Sequence, residues 1–259
     1  MAASGEINIV KIILGRPLPY GVIIKAVYLE GTSFVFYLAL CTMMRKYIYL
    51  ILVSYCISVP AFAQRSVSDA IIRYSVDVPE GQPNAAAFSG STMVQYMRGF
   101  MSRMDMNLQV VNYTYIINTK EESYVTLISR NTDKYLIHVG RAQFEKDLKQ
   151  YEAVKFTDKP ETKRIAGYTC KHATASLVDG QTFDVWYTPD LVAENRLYNR
   201  RFMNLKGLPL EFELLLKGGS KIKVVATSVD LSPVPASAFD VPKGGYKEIS
   251  EAEMKQLGN

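Results

Sequence analysis

The chain has 259 residues, 48% of them hydrophobic and 21% charged, and a mean hydropathy of +0.01, which describes an ordinary globular protein with one extra apolar segment near its start. Residues 64–259 hold 25 Lys and Arg against 23 Asp and Glu, so the sequence pI of about 8.9 owes much to the first 63 residues. No basic stripe argues for nucleic acid, and none is expected as a partner.

The apolar segment begins at Met44 and reads MRKYIYLILVSYCISVPAFAQ. Arg45 and Lys46 form a basic start, Tyr47 to Val59 an apolar run, Pro60 a break, and Ala61 and Ala63 supply the small residues that signal peptidase accepts. The expectation is a signal peptide over 44–63, cut between Ala63 and Gln64, and a periplasmic or secreted protein with no transmembrane span after cleavage. The 13-residue run falls short of the ~20 residues that span a bilayer. Residues 1–43 read as an upstream extension, and 64–259 as one domain. Cys41 and Cys56 precede that domain, and a lone Cys170 allows no internal disulfide within it.

Within the domain, Asp69 to Val78 reads as a strand ended by the turn residues at 79–83. Met93 to Gln109 reads as two strands broken at Gly99. Three further strands are expected over 110–118, 123–129 and 134–139. At Arg141 the period changes: Phe144, Leu148 and Tyr151 fall at i, i+4 and i+7, which predicts an amphipathic helix over 141–154. Lys163 to Tyr187 reads as a β-hairpin turning at Asp179-Gly180, the usual pair of a two-residue type I′ turn. That register sets Ala173 opposite Trp186 and His172 opposite Tyr187, with Trp186 over small alanines, Cys170 and His172 on one face, and Asp184 on the other. Residues 192–205 read as a short helical or irregular piece, Leu210 to Leu216 and Lys221 to Asp230 as a hairpin turning at Gly218-Gly219, and 232–246 as a Pro-rich strap. Ser250 begins a terminal helix with Glu253 completing a capping box. Strands in succession with few helices predict a mainly β, α+β fold. Its expected form is a curved antiparallel incomplete barrel of about nine strands with two or three helices over the concave face.

Ile165, Gly167, Tyr168 and Cys170, then Gly180, Trp186-Tyr187-Thr188, Gly207-Leu208-Pro209-Leu210 and Phe239-Asp240-Val241-Pro242-Lys243-Gly244-Gly245-Tyr246 carry a family resemblance. They resemble an exported bacterial domain of unknown function, common in Bacteroidetes-type bacteria and related to the lipoprotein carriers LolA and LolB. The resemblance implies a half barrel with a helical lid over an apolar hollow, and no catalytic residues.

The residues themselves offer little chemistry. His138 and His172 are the two histidines, and neither sits in a nucleophile-elbow context. Cys170 with His172 is a weak metal pair, so no metal or cofactor is expected. Glu211 and Glu213 alternate with Leu210, Phe212 and Leu214 and read as the solvated side of a strand. The expected function is a non-catalytic exported binding protein that holds a lipid, an acyl chain or a lipoprotein in the concave face. Met97, Met104, Phe144, Leu148, Trp186, Phe202, Leu210 and Phe212 are its candidate lining. The alternative is a filled envelope module that contacts other envelope proteins; an enzyme would require a polar cleft gathering His172 with Asp184 or Glu211.

Overall fold

The computed structural model describes residues 64–77, 88–109, 111–215 and 221–257. The expected leader, the upstream extension, the turn residues at 79–83 and the Gly218-Gly219 turn lie outside them. The described chain is mainly β. Its strands are β1 (Arg65–Val67), β2 (Asp69–Asp77), β3 (Thr92–Arg98), β4 (Met101–Asn107), β5 (Asn112–Asn118), β6 (Ser123–Arg130) and β7 (Asp133–Val139). They continue with β8 (Lys155–Ile165), β9 (Tyr168–Ser176), β10 (Thr182–Thr188), β11 (Leu191–Ala193), β12 (Leu208–Leu215), β13 (Lys221–Asp230) and β14 (Lys247–Glu248). One sheet takes twelve of these in the order β14-β7-β6-β5-β4-β3-β2-β13-β12-β10-β9-β8. All its pairings are antiparallel except β14 on β7. With β14 at one end and β8 at the other, the sheet is not a closed barrel, and its strands exceed the expected nine. β1 and β11 form a separate parallel pair.

Alternation divides the sheet into two faces. One bears Ala70, Ile72, Tyr74, Met93, Met97, Val224, Phe212 and Val185, all buried. The helix α1 (Arg141–Glu152), the 3₁₀ segment Arg196–Phe202 and the helix α2 (Glu251–Leu257) pack on this face through Phe144, Tyr198, Phe202 and Met254. The other bears Ile71, Tyr96, Ile116, Leu127 and Leu136, and the strap at 231–246 crosses it, burying Val234 and Phe239. We call these the helix face and the strap face.

Side-chain caps start two of the helical segments. Ser250 caps α2 as the sequence predicts: its hydroxyl accepts from the Glu253 N–H at 3.2 Å, while the Glu253 carboxylate accepts from the Ser250 N–H at 2.7 Å. Asn195 caps the 3₁₀ segment through Oδ1, which accepts from Leu197 N–H at 3.1 Å. Ser102 donates to the Tyr198 carbonyl at 2.6 Å and Arg201 to the Glu213 carbonyl at 2.9 Å, fixing this segment on the helix face.

The central hairpin departs from its expected register. Gly180 N–H donates to Leu177 O at 3.1 Å, Leu177 N–H donates to Gln181 O at 2.9 Å, and Gly180 has φ +82°. The loop is therefore three residues, Val178, Asp179 and Gly180: a type I turn closed by a glycine bulge in place of a two-residue type I′ turn. Every cross-strand pair moves by one residue. His172 now faces Trp186, Val185 faces Ala173, and Asp184 faces Thr174. Since side chains alternate with period two, this brings His172, Asp184 and Trp186 onto one face, against expectation. Trp186 does not lie over the alanines: Ala173 and Ala175 are on the opposite face of β9, in the helix-face core, while Cys170, which is buried, keeps the alternation of His172.

Candidate functional site: a polar cleft around Trp186

On the strap face, at the end of the sheet away from the strap's own buried contacts, β8, β9, β10, β12 and β13 bring charged side chains around a half-buried indole. Strand pairing sets the constellation, because Trp186 lies between His172 on β9 and Glu211 on β12. The His172 and Trp186 rings stack, centroids 4.5 Å apart and 7° from parallel. Lys163 reaches across from β8, its Nζ 4.1 Å from the Trp186 ring centre, and donates to Glu211 Oε2 at 2.5 Å. Lys223 on β13 approaches Glu211 Oε1 at 2.9 Å. His172 sits between two carboxylates, Nδ1 3.4 Å from Glu161 Oε2 and Nε2 3.2 Å from Asp184 Oδ1, but neither ring nitrogen makes an aligned hydrogen bond. Thr174 donates to Asp184 Oδ1 at 3.0 Å. The cleft has a volume of about 160 Å³ and is lined by His172, Asp184, Trp186, Glu211, Phe212, Glu213 and Lys223.

Glu211 is not on a solvated strand side, as its alternation suggested; it is buried. Burial alone would raise its pKa, but the hydrogen bonds and charges of Lys163 and Lys223 outweigh that and hold it below the usual carboxylate value. It is thus a fixed anion and an acceptor rather than a proton donor at neutral pH. The exposed carboxylates of Asp184 and Glu161, with His172 between them, and the two ammonium groups give the cleft donors and acceptors in alternation beside an aromatic wall. This suits a ligand rich in hydroxyl and amide groups. Among the described residues no group of His, Cys, Asp and Glu has the makings of a metal site. Burial also pushes the Cys170 thiol up to about 11, which makes it an inert core residue.

The eight residues expected to line one apolar cavity are spread over several sites. Met104, Phe202 and Phe212 line a second pocket of about 270 Å³ on the helix face, together with Gln95, Tyr115, Tyr198, Arg200 and Arg201. Met97 and Leu210 belong to the adjoining core. Phe144 is in a separate cluster with Leu148 against it, and Trp186 is in the polar cleft. The cleft itself could not be found by pattern, because Lys163, His172, Trp186 and Glu211 come together only through the order of the strands.

A family model described as "N-glycanase peptide, N-terminal domain" matches residues 101–195, a span that includes Lys163, His172, Asp184 and Trp186. This overturns the expected resemblance: over residues 101–195 the chain is similar to an N-glycanase domain family and not to the lipoprotein carriers. The expectation of a non-catalytic lipid-holding protein falls with it, as does that of a protein without any enzymatic context. No curated protein matches. Among solved structures, the chain is similar to "Structure of PNGF-II in P21 space group" at 18% identity over 74% of this chain and 33% of that one, with a TM-score of 0.42. For "Structure of PNGF-II in C2 space group" the values are 20%, 73% and 32%, with 0.44. "Crystal structure of MucB" gives 14%, 68% and 58%, with 0.36. The chain spans about a third of the length of the PNGF-II chains it matches. Among the described residues no helix is long and apolar enough to cross a membrane.

Proposed function

We propose that the chain acts as an N-glycanase-type N-terminal domain that engages N-glycosylated polypeptide through the polar cleft around Trp186. The observation that carries this reading is the coincidence of the two findings: the cleft residues on β8, β9 and β10, among them Lys163, His172, Asp184 and Trp186, fall inside the span matched by the N-glycanase domain family, while Glu211, Phe212, Glu213 and Lys223 follow it. The glycosylated asparagine and its first sugar offer amide and hydroxyl groups. Asp184, Glu213, His172 and Lys223 provide complementary acceptors and donors. Export through the leader at 44–63, with one domain over 64–259, belongs to the same reading, as does a sheet coiled into an incomplete barrel around the helix face. The order of basic, apolar and small residues supports the first, and the twist natural to a long antiparallel sheet supports the second.

The test compares an N-linked glycopeptide with the same peptide lacking the glycan, by titration calorimetry, while mass spectrometry follows glycan release. The expected result is selective binding of the glycopeptide, weakened at least ~10-fold by Trp186→Ala, the cost of losing one well-packed aromatic contact. Equal affinity for both peptides, with no release of glycan, would sink the proposal.

A further inference from the structure

The sheet interrupts its own pairing at His172. Along β8 and β9, Asp158 pairs with Ala173 and Thr162 with Lys171, so Lys159, Pro160 and Glu161 of β8 together stand opposite the single His172. Bulges of this kind re-aim side chains, and Pro160 has no N–H to offer the ladder. Here the bulge brings the Glu161 carboxylate to the imidazole, Oε2 3.4 Å from Nδ1, while Asp184 on the other neighbouring strand sets Oδ1 3.2 Å from Nε2. The ring itself is stacked on Trp186.

A neutral imidazole has one N–H and one lone pair. It can donate to one of these carboxylates only by turning its lone pair toward the other; the imidazolium alone has an N–H for each. The His172 side chain is 14% exposed, whereas those of Glu161 and Asp184 are 56% and 52% exposed, so the carboxylates are the parts with room to move. The other charges of the cleft answer to one another. Lys163 on β8 and Lys223 on β13 both hold Glu211 on β12, and Lys221 approaches Glu213. Lys159 in the bulge is exposed, and Thr174 shares Asp184 Oδ1 with the ring.

We infer that His172 is a proton-operated positioning residue of the cleft. Charged, it holds Glu161 and Asp184 together beside the Trp186 stack and takes both acceptors away from a ligand. Neutral, its proton having passed to solvent, it keeps one and releases the other to accept from a ligand hydroxyl or amide. Imidazole is the side chain that ordinarily changes charge between pH 5 and 8, so the cleft gains an acceptor across that range. The consequence for affinity rests on the glycopeptide reading; the switch itself does not.

The lone Trp reports the switch, since an imidazolium in contact with an indole quenches its emission more than the neutral ring does. Emission of the full chain is expected to rise in a single step between about pH 5 and about pH 8. The step should vanish in His172→Gln and persist in His138→Gln, which alters an exposed residue of β7. Glu161→Gln changes an exposed side chain and keeps the histidine; it is expected to move the step to lower pH, because the imidazolium loses a counter-charge. Calorimetry with the N-linked glycopeptide is expected to show about 10-fold tighter binding at the upper end of the range than at the lower, the equivalent of one hydrogen bond to a charged group, and equal affinity at both ends in His172→Gln. A parent without the step, a step that survives in His172→Gln, or one that Glu161→Gln leaves in place overturns the inference, as does glycopeptide binding indifferent to pH. A glycopeptide that binds at neither end sinks the glycopeptide reading instead, and the emission step alone then decides the switch.

Discussion

Glu211 shows how one residue can be read correctly for its strand and wrongly for its environment. Its neighbours Leu210 and Phe212 point to the helix face, so the carboxylate points to the other, and there it meets Lys163 and Lys223. Both lysines remain partly exposed, which screens the pair, and Glu211→Gln is expected to cost about 1–2 kcal/mol rather than the 3–5 of a fully buried one. Its lowered pKa fixes the sign of the pH dependence. A carboxylate whose folded value lies below its unfolded one stabilises the fold fully above the ordinary value of 4.5, and this stabilisation is lost as pH falls through the folded value. Urea unfolding between pH 3 and 7 is expected to show a shallower acid loss in Glu211→Gln than in the parent. Parallel acid limbs would mean that the two lysines do not hold this charge.

At the scale of elements, the central hairpin is the most instructive. Asp179-Gly180 announces a turn, but a glycine at positive φ serves a two-residue type I′ turn and a three-residue bulged loop equally well, so residue types alone leave the register open by one. The observed closure of Leu177 on Gln181 leads to a specific expectation. Deleting Val178, which is 72% exposed, leaves Asp179-Gly180 as a two-residue loop between the same closing pair, so His172 should still face Trp186. Stability is expected to change by less than ~1 kcal/mol, and the near-ultraviolet circular dichroism of the lone Trp should persist; loss of that signal would show that the bulge itself sets the pairing. The long strands β2 to β7 were legible because one or both faces are buried and their side chains alternate accordingly. β8 was not legible beyond its last residues. It is the edge of the sheet, exposed along most of its length, with only Phe156 and Ile165 as large apolar residues and Pro160 in its middle. The cleft was illegible for a related reason: a one-residue shift in the hairpin moved His172 and Asp184 from opposite faces to the same one. Lys163 reaches Glu211 across two strands, and no local pattern records that.

For the whole molecule, the strap is the counterpart of the helices. Without residues 231–246, Ile116, Leu127 and Leu136 would face water from the middle of the sheet. Phe239 anchors it, 6% exposed at the centre of that cluster, and Arg98 and Arg103 donate to the Val234 and Ala238 carbonyls at 2.7 and 2.8 Å. Phe239→Ala is expected to cost about 3–5 kcal/mol by cavity formation, read as a fall in urea midpoint at constant m. A loss below 1 kcal/mol would mean that the strap is only laid on a sheet already stable alone. The sheet also has a seam. β2 to β7 pair successively with their neighbours along the chain, but β2 finds its other partner in β13, with Ser75 and Val225 lying 150 positions apart in the chain. Strands β2 to β7 can therefore assemble while the later ones are still being made, but β2 keeps an open edge until β13 has emerged. Closing so long a loop is entropically slow. Until it closes, the half-formed sheet presents unpaired backbone that would template association with another copy, and a cell making this protein in quantity must keep such nascent chains apart.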